Sequence, residues 1–579
     1  MKCKLNLVFE FYYMRKISVI IIFIFYSAFS VAQYTHADTL RGSNGPARSW
    51  WDVTKYDLHV KFNLDDSTIG GFNNISYKVV KKELKNGNIL QIDLQEPLVL
   101  DSILMTYTVS EYNPKTKKIF KVTGGALLKP NNFEKDGNAY FIKNIRMQEL
   151  NAKNQLEIYY HGKPRVAKNP PWDGGIVWKR DEHNNPWISL ACQGLGASVW
   201  YPCKDYQGDE PDSAELHITA SAEFVSVANG KLRSTIDNKD GTKTYSWAVV
   251  NQINNYDIVP YIGKYVNFNE VYKGEKGDLE MNYWVLDYNL EKAKKQFADA
   301  TKMMKAFEYW FGPYPFYEDG YKLVDAPYVG MENQSAIAYG NHYQNGYYRT
   351  GDLSGSGWGL KWDYIIVHES GHEWFGNNIT TKDIADMWVH EGFATYSEIL
   401  FIEYYFGKNA GSEYVIGLRK RIFNDIPIIG QYGVNNEGST DMYYKGANLL
   451  HTIRQIINDD EKFRMMLRGL NKTFYHQTVT SKQVEDFINK NSGIDLSKVF
   501  DQYLRTTMIP TLEYKFDGYD LSYRWTNVVK GFNMPLKINF KKQVWIKPTE
   551  QWKTLHMYPE GKINFAIDDN FYIKTNKVN

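Results

Sequence analysis

The chain contains 579 residues, of which 43% are hydrophobic, 16% aromatic and 23% charged. These proportions are those of an ordinary globular protein, and the length predicts about three to four domains. The formal net charge is only +2 at pH 7, so the sequence lacks the basic field with which nucleic-acid-binding proteins attract phosphates. The high aromatic content favours a structure rich in β-strands.

The first 32 residues are predicted to be a signal peptide. Arg15 and Lys16 precede an apolar run over 17–32 that ends in small residues suited to cleavage. Residues 1–13 could be an N-terminal extension upstream of a more typical start. An uncleaved membrane anchor is the alternative, but the run is shorter than the ~20 residues that a spanning helix needs. The sequence therefore predicts export to the periplasm or the extracellular space, without stable membrane insertion after cleavage.

Two cysteines, Cys192 and Cys203, remain after the predicted cleavage, and the remaining chain carries a net charge of −1. In an oxidising compartment these cysteines could form a disulfide bond. They do not make a disulfide framework, and they lack zinc-finger spacing. Their pairing stays open on sequence grounds.

Strand patterns dominate residues 33–265, the predicted N-terminal domain. Side chains alternate between polar and apolar over 56–62 and over 75–79. Asn-Gly and Asp-Gly pairs beginning at Asn86 and Asp136 are typical of hairpin turns. We therefore expect an antiparallel β domain in this part of the chain.

Helical periodicity dominates residues 266–507, the predicted catalytic domain. Asn289 is expected to cap the first helix, and Thr480 with Gln483 has the pattern of a capping box. The predicted helices cover 290–311, 362–377, 386–406, 442–458, 460–475, the segment from Thr480 to about 490, and 495–505.

Alternating strands return in residues 508–579, which are predicted to form a small C-terminal β-sandwich. The order of strand-rich, helix-rich and strand-rich segments predicts an α+β, multidomain protein.

The most informative motif is His368-Glu369-Ser370-Gly371-His372, which has the form H-E-x-x-H. Residues four apart lie on one face of a helix, so both imidazoles can reach one metal ion. Glu369 is then placed to act as a general base rather than as a ligand. The alternative is an exposed helix that carries two histidines without a function.

Eighteen residues separate His372 from Glu391, which is enough for one helix to end and a second to return. Two histidines and one glutamate, with a fourth position left for water, are typical of a catalytic zinc site. Glu398 lies seven residues after Glu391 and on the same helical face, so we expect it to orient a ligand histidine. The alternative for Glu398 is a solvated surface carboxylate.

Further motifs surround this site. Met331-Glu332-Asn333 follows Gly330 upstream, Tyr443-Tyr444-Lys445-Gly446 lies downstream, and Gln193 lies in Ala191-Cys192-Gln193-Gly194. In this order and spacing the chain resembles the aminopeptidase N family of zinc exopeptidases, which includes the leukotriene-epoxide hydrolase. The resemblance covers about 50–579, and it implies a thermolysin-like, mostly helical catalytic domain that binds one Zn²⁺ per chain.

The resemblance implies roles for the substrate-binding residues. Glu332 would bind the free α-ammonium of a peptide by charge-assisted hydrogen bonding, and Gln193 would be a second amine-binding side chain. The backbone of Gly330, Met331 and Asn333 would lie along the substrate in the manner of an added β-strand. A polar loop residue without a function is the alternative for Gln193.

Tyr443 matches the family tyrosine that donates a hydrogen bond to the tetrahedral oxyanion. Its neighbour Tyr444 stands where the family often has glutamate, and packing roles are the alternative for both tyrosines. The family signature in this segment is G-x-M-E-N, and Val329 stands in place of its first glycine. The Val329 side chain therefore either narrows the substrate groove or points away from it. The resemblance also suggests that Tyr328 lines the pocket for the first substrate residue.

Many members of the family carry a large helical C-terminal domain that covers the active site. Here about 70 residues follow the predicted catalytic domain, and they have strand patterns. The expectation is a more open site.

The sequence thus predicts a zinc-dependent aminopeptidase that acts on peptides with a free N-terminus. A thermolysin-like endopeptidase shares the metal motif, but it needs no amine-binding carboxylate such as Glu332. An epoxide hydrolase would need a lipid tunnel, and an inactive peptide-binding protein would not need the complete set of catalytic residues. The preferred N-terminal residue and the oligomeric state stay undetermined by the sequence.

Overall fold

The computed structural model describes residues 34–81, 88–145, 148–540, 542–557 and 565–579. The predicted signal peptide lies outside these ranges. Within them, no helix is long and apolar enough to cross a membrane.

The N-terminal part of the described chain is built from β-sheets. Its strands are β1 (Trp51–Asn63), β2 (Thr68–Val79), β3 (Asn88–Asp93), β4 (Val99–Asn113), β5 (Lys118–Leu128), β6 (Phe133–Asp136), β7 (Ala139–Ile145), β8 (Lys153–Gly162), β9 (Gly175–Arg180), β10 (Pro186–Ala191), β11 (Ser213–Ser221), β12 (Val225–Ala228), β13 (Lys231–Asp237), β14 (Thr242–Val249) and β15 (Pro260–Gly263).

An eight-stranded sheet forms the largest layer, in the order β13-β14-β11-β1-β2-β8-β4-β5. It lies with a four-stranded sheet, β12-β15-β10-β9, and a three-stranded sheet, β3-β7-β6, around a shared core. In β1 the alternation predicted from sequence is observed, because Tyr56, Leu58 and Val60 are buried while the residues between them are partly exposed. Most strand pairs are antiparallel, as expected, whereas β1 and β11 run parallel.

A mixed sheet begins the central part of the chain. It contains β16 (Tyr265–Gly274), β17 (Gly277–Leu286), β18 (Tyr321–Asp325), β19 (Gly330–Met331) and β20 (Ile337–Tyr339), in the order β16-β17-β18-β20-β19. Its apolar side chains share one core with the helices that follow.

Helices form most of the central part. They are α1 (His36–Gly42), which precedes the sheets, then α2 (Leu290–Gln296), α3 (Ala298–Phe311), α4 (Tyr364–Gly371), α5 (Trp388–Phe406), α6 (Lys408–Leu418), α7 (Tyr444–Ile457), α8 (Asp460–Thr473), α9 (Ser481–Ser492) and α10 (Ser497–Arg505).

The helix predictions differ from the structure in three places. The predicted helix 290–311 is divided at Phe297 into α2 and α3, and the Asn289 side chain makes no capping hydrogen bond. Helices α1 and α6 were not predicted. The predicted helix 362–377 is shorter, because α4 ends at Gly371 and the backbone leaves helical geometry at Phe375 and Gly376. The capping box of Thr480 and Gln483 is confirmed at the start of α9.

The C-terminal part returns to strands, as predicted. Before this part, a short parallel pair, β21 (Ile379–Thr381) and β22 (Gln477–Val479), lies among the helices of the central part. The remaining strands are β23 (Thr511–Asp517), β24 (Asp520–Thr526), β25 (Leu536–Phe540), β26 (Lys542–Ile546), β27 (Lys553–His556), β28 (Phe565–Ile567) and β29 (Lys574–Lys577).

These C-terminal strands form two sheets, β27-β24-β23-β29 and β26-β25-β28. Buried side chains from both sheets, among them Trp525 and Leu536, join the core of the helical part. The α+β, multidomain prediction is confirmed, whereas the exact domain boundaries stay predictions. Cys192 and Cys203 are both buried and free, so the possible disulfide bond is not formed.

Candidate active site

The histidines of the H-E-x-x-H motif and Glu391 come together on two packed helices. His368 lies in the last turn of α4, His372 directly follows that helix, and Glu391 lies in the first turn of α5. The Oε2 atom of Glu391 is 3.7 Å from Nε2 of His368 and 3.4 Å from Nε2 of His372. All three side chains are buried.

Hydrogen bonds to the outer ring nitrogens fix both imidazoles. Nδ1 of His368 is 2.8 Å from Oε1 of Glu398. The other carboxylate oxygen of Glu398, Oε2, accepts a hydrogen bond from the Tyr414 hydroxyl. Nδ1 of His372 is 3.2 Å from the Phe375 carbonyl oxygen. Because these partners are acceptors, each Nδ1 donates a hydrogen bond, and each Nε2 faces the centre of the site, where its lone pair would bind a metal ion.

This donor set fits a zinc ion. Oε2 of Glu391 is buried and has no hydrogen-bond partner among the described residues, although two imidazole nitrogens lie close to it. Two neutral imidazoles and one carboxylate are the ligands of a catalytic zinc site with one open position. The expected placement of Glu398 beside a ligand histidine is also observed.

Glycines allow the helices that carry these side chains to approach closely. A Cβ atom on Gly371 would lie 2.4 Å from Oγ of Ser397, where α4 packs on α5. A Cβ atom on Gly446 would lie 3.0 Å from the Cα of Gly392, where α7 packs on α5. Gly446, the last residue of the motif Tyr443-Tyr444-Lys445-Gly446, therefore has a packing role that holds the start of α7 near Glu391.

Glu369 projects into the same space from α4. A Cβ atom on Gly330 would lie 2.8 Å from Oε1 of Glu369, so the absence of a side chain at this position gives the carboxylate room under β19. Burial raises the pKa of Glu369 to about 7, with the neighbouring His368 and His372 acting in the opposite direction. A carboxylate with such a pKa can both accept and return a proton near neutral pH.

Tyr443 lies immediately before α7 and completes this side of the cavity. Its ring centroid is 6.2 Å from that of His368, and the two rings are within 20° of parallel. Burial raises the pKa of Tyr443 well above its usual value, so its hydroxyl group remains protonated and able to donate a hydrogen bond. We call His368, Glu369, His372, Glu391 and Tyr443 the helical wall.

The opposite side is formed by Gln193 and Glu332, with Tyr256 behind them. We call these three residues the loop wall. Gln193 follows β10, and Glu332 directly follows β19. The Gln193 amide donates a hydrogen bond to Oε1 of Glu332, and the Tyr256 hydroxyl donates to the same oxygen over 3.2 Å. Burial raises the pKa of Glu332, although His372 opposes this effect.

The two walls meet at His372. Carboxylate oxygens of Glu332 and Glu369 and a ring nitrogen of His372 lie within 4.8 Å of one another. The Glu332 carboxylate therefore lies beside His372, one of the three residues that would hold zinc.

The remaining predicted substrate-binding residues fall into two groups. Gly330, Met331 and Val329 line the cavity, so Val329 contributes to the surface of the groove. Asn333 and Tyr328 do not line it. Asn333 donates a hydrogen bond to the Tyr261 hydroxyl over 2.7 Å, and the Tyr328 hydroxyl donates to the Leu190 carbonyl over 2.7 Å. Both residues support the loop from behind.

The cavity between the walls has a volume of about 800 Å³. Its surface also includes residues that the sequence did not single out, namely Trp172, Tyr347, Arg421, Asn435, Glu437 and Arg41. No motif marks them, because they are drawn from separate segments that only the fold brings together. Tyr256 and Tyr414 were missed for the same reason.

The segment that follows the predicted signal peptide reaches this cavity. Arg41, in α1, donates a hydrogen bond to the carbonyl oxygen of Gly194, next to Gln193. The Asn435 side chain donates to the same oxygen over 3.1 Å, and its backbone N–H donates to the Asp38 carbonyl over 3.0 Å. Helix α1 thereby joins the Gln193 loop to the loop around Asn435.

Comparisons with known proteins agree with this geometry. Residues 295–503 match the Peptidase family M1 domain. The chain is 23% identical over 377 residues to a leukotriene A-4 hydrolase from Xenopus laevis, covering 60% of this chain and 58% of that protein. It is 22% identical over 302 residues to human endoplasmic reticulum aminopeptidase 1, covering 50% of this chain and 31% of that protein. The matches thus span less than two thirds of the length of these relatives.

Among solved structures, the chain is similar to an M1 zinc metallopeptidase from Deinococcus radiodurans, in a variant bound to a Tyr-Ser-Ala substrate. The TM-score is 0.63 and the identity 17%, over 80% of this chain and 96% of that chain. At this identity the likeness shows the fold. The matched M1 domain over 295–503 contains both the G-M-E-N and the H-E-x-x-H motif, so this part of the chain belongs to the M1 family of zinc metallopeptidases, the aminopeptidase N family.

Proposed function

We propose that this protein is a zinc-dependent aminopeptidase that removes the N-terminal residue from peptides. The observation that carries the proposal is the position of Glu332, a buried carboxylate within 4.8 Å of both Glu369 and His372. A carboxylate so close to the reacting centre can hold the α-ammonium of a substrate. The bond that reaches the helical wall is then the first peptide bond.

His368, His372 and Glu391 would hold the zinc ion. When bound, zinc supplies a Lewis acid and lowers the pKa of a water molecule from ~16 towards ~7. Glu369 accepts the proton of the attacking water and returns it to the leaving nitrogen. Its raised pKa, about 7, supports both transfers.

Tyr443 is proposed to donate a hydrogen bond to the oxyanion that forms at the scissile carbonyl. Its location beside His368 and its strongly raised pKa support this role. On the other wall, Gln193 and Tyr256 orient the Glu332 carboxylate by donating to one of its oxygens. The second oxygen stays available for the substrate ammonium.

The proposal extends to location and partners. Residues 1–32 have the pattern of a signal peptide, so we infer that the enzyme is exported and meets its peptide substrates in the periplasm or outside the cell. The family relationship supports peptides as substrates. A free N-terminus is required because an acetylated amine carries no charge for Glu332 to bind.

A direct test compares a peptide with a free N-terminus and the same peptide acetylated at its N-terminus. We expect stepwise release of N-terminal residues from the free peptide, loss of this activity with a chelator, and recovery on addition of Zn²⁺. Mass spectrometry of the products identifies the bond that is cut. Cleavage of the acetylated peptide at interior bonds would instead establish the endopeptidase alternative.

A further inference from the structure

Two imidazoles and two carboxylates form a compact array on the N-terminal sheet, in a region that does not line the catalytic cavity. Asp57 and His59 lie on β1, and the parallel neighbour β11 carries Glu215 directly opposite Asp57 and His217 directly opposite His59. Residues two apart in a strand share a face. All four side chains therefore project from the same face, opposite to the one that carries the buried Tyr56, Leu58 and Val60.

The ligand atoms in this array lie close to the spacing of a metal site. Oδ1 of Asp57 is 3.1 Å from Nε2 of His59 and 3.2 Å from Nε2 of His217. Oε2 of Glu215 is 3.7 Å from Nε2 of His217. Tetrahedral zinc with bonds of ~2.0–2.2 Å separates its ligand atoms by about 3.3–3.6 Å. The catalytic site has corresponding distances of 3.4 and 3.7 Å.

The array shares a second property with the catalytic site. Oδ1 of Asp57 is buried and, like Oε2 of Glu391, has no hydrogen-bond partner of acceptable geometry among the described residues. The two imidazole nitrogens therefore lie beside this oxygen without their N–H directions pointing at it.

Contacts around the two imidazoles hold them in this orientation. The rings of His59 and His217 are stacked, with centroids 4.1 Å apart and planes within 18° of each other. The His59 ring also stacks on Phe72, at 4.3 Å. Nδ1 of His217 is 2.8 Å from Oγ of Ser246, which leaves its Nε2 free to act as a ligand.

We propose that Asp57, His59 and His217 bind a divalent transition-metal ion of the Zn²⁺ class, with Glu215 beside them. Imidazole nitrogen and carboxylate oxygen are suitable ligands for such ions. Oε1 of Glu215 forms an ion pair with Nζ of Lys55 over 2.9 Å, which leaves Oε2 to face the site. The side chains are 22–40% exposed, so the ion can enter directly from solvent.

The ion would connect two strands that are distant in the sequence. A ligand that binds the folded chain and not the unfolded chain raises stability by mass action. We therefore expect this ion to stabilise the β1–β11 pair without taking part in peptide hydrolysis.

The test measures metal stoichiometry in the full-length protein. After removal of metals with a chelator, the protein is titrated with Zn²⁺ by calorimetry, and bound metal is measured by mass spectrometry. We expect a second equivalent of Zn²⁺ beyond the catalytic one in the unmodified protein. His59→Asn and His217→Asn should each abolish the second equivalent and its contribution to the thermal midpoint, with peptidase activity unchanged.

His161→Asn is the matched control. His161 lies on β8 of the same sheet and pairs with Asp101 at 2.9 Å. It belongs to no group of three possible metal ligands among the described residues, so this variant should keep both equivalents. The visible absorption of Co²⁺-loaded protein provides a second measurement, since His217→Asn should remove one of two tetrahedral signals.

A single equivalent in the unmodified protein, or a second equivalent retained in both variants, would overturn the proposal. Retained catalytic metal and activity would show that the variants are folded.

Discussion

The two walls of the cavity are constructed in different ways. The helical wall is carried by α4, α5 and the start of α7, which pack through glycine contacts within one core. The loop wall is held by hydrogen bonds between side chains far apart in sequence, since Glu332 lies 139 positions after Gln193. Rigid helices suit groups that must meet a reacting atom at fixed distances. A hydrogen-bonded loop surface suits recognition of the substrate, so the comparison assigns chemistry to one wall and selection to the other.

Glu369→Gln provides the strongest test of the helical wall. The amide keeps the size of the side chain but cannot accept the proton of the attacking water, so we expect kcat to fall on the order of 10⁴-fold. Zinc content, measured by mass spectrometry, should be unchanged because Glu369 is not a proposed ligand. Glu413→Gln is the control. Glu413 lies on α6 and accepts a hydrogen bond from Trp358, so this variant should keep full activity. Normal turnover by the Glu369 variant would remove the basis for the proposed mechanism.

Tyr443→Phe removes the proposed oxyanion donor from the same wall. Loss of one such donor typically costs about 10²–10³ in kcat, while KM should change little because the ground-state carbonyl needs the hydroxyl less than the oxyanion does. Tyr444→Phe is the matched control. Tyr444 is the next residue in the chain and lines the same cavity, so this variant loses a hydroxyl group without affecting Tyr443. Kinetics with an aminoacyl-p-nitroanilide measures both. A larger loss in the Tyr444 variant would transfer the role to that residue.

Glu332→Gln tests the loop wall. The variant loses the negative charge that would bind the substrate ammonium, and a hydrogen bond to a charged group is worth about 1.5–3 kcal/mol. We expect kcat/KM for free peptides to fall about 10–10²-fold, mainly through KM. The preference for free over acetylated peptides should fall by a similar factor. If the variant lost turnover but kept its preference for free amines, Glu332 would belong functionally to the helical wall.

The sequence predicted the helical wall more completely than the loop wall. His368, Glu369, His372 and Glu391 lie in two short motifs whose helical spacing determines their geometry, and Glu398 follows from the same periodicity. Helix periodicity is local, so it can be read without a three-dimensional structure. The irregular turn after His372 was not predicted, because it depends on Gly376 at φ 142° and on packing with distant residues.

The loop wall depends on long-range contacts that leave no local pattern. Tyr256 reaches Glu332 only because the loop between β14 and β15 lies against β19. Helix α1 and its Arg41 contact with Gly194 were likewise missed, since seven residues carry little periodicity. The eight-stranded sheet was predicted only as a class of structure, because alternation identifies strands but not their partners. The parallel pairing of β1 with β11 is the clearest example.

Tyr256→Phe gives the smallest expected effect and the sharpest test of the comparison between the walls. The Tyr256 hydroxyl donates to Glu332 over 3.2 Å and is itself buried. Loss of this bond costs about 0.5–1.5 kcal/mol, which predicts a rise in KM of about 2–10-fold. The value of kcat should be unchanged, because Tyr256 does not line the cavity and acts only by orienting Glu332.

The control for this variant is Tyr261→Phe, which loses a comparable buried hydroxyl near Asn333 rather than Glu332. A general loosening of the loop would raise KM in both variants, whereas an orienting role raises it only when Tyr256 is changed. In the double variant with Glu332→Gln, the Tyr256 change should have no further effect, because its partner is already altered. A fall in kcat caused by Tyr256→Phe alone would mean that the two walls act as one unit, and the division between chemistry and selection would be wrong.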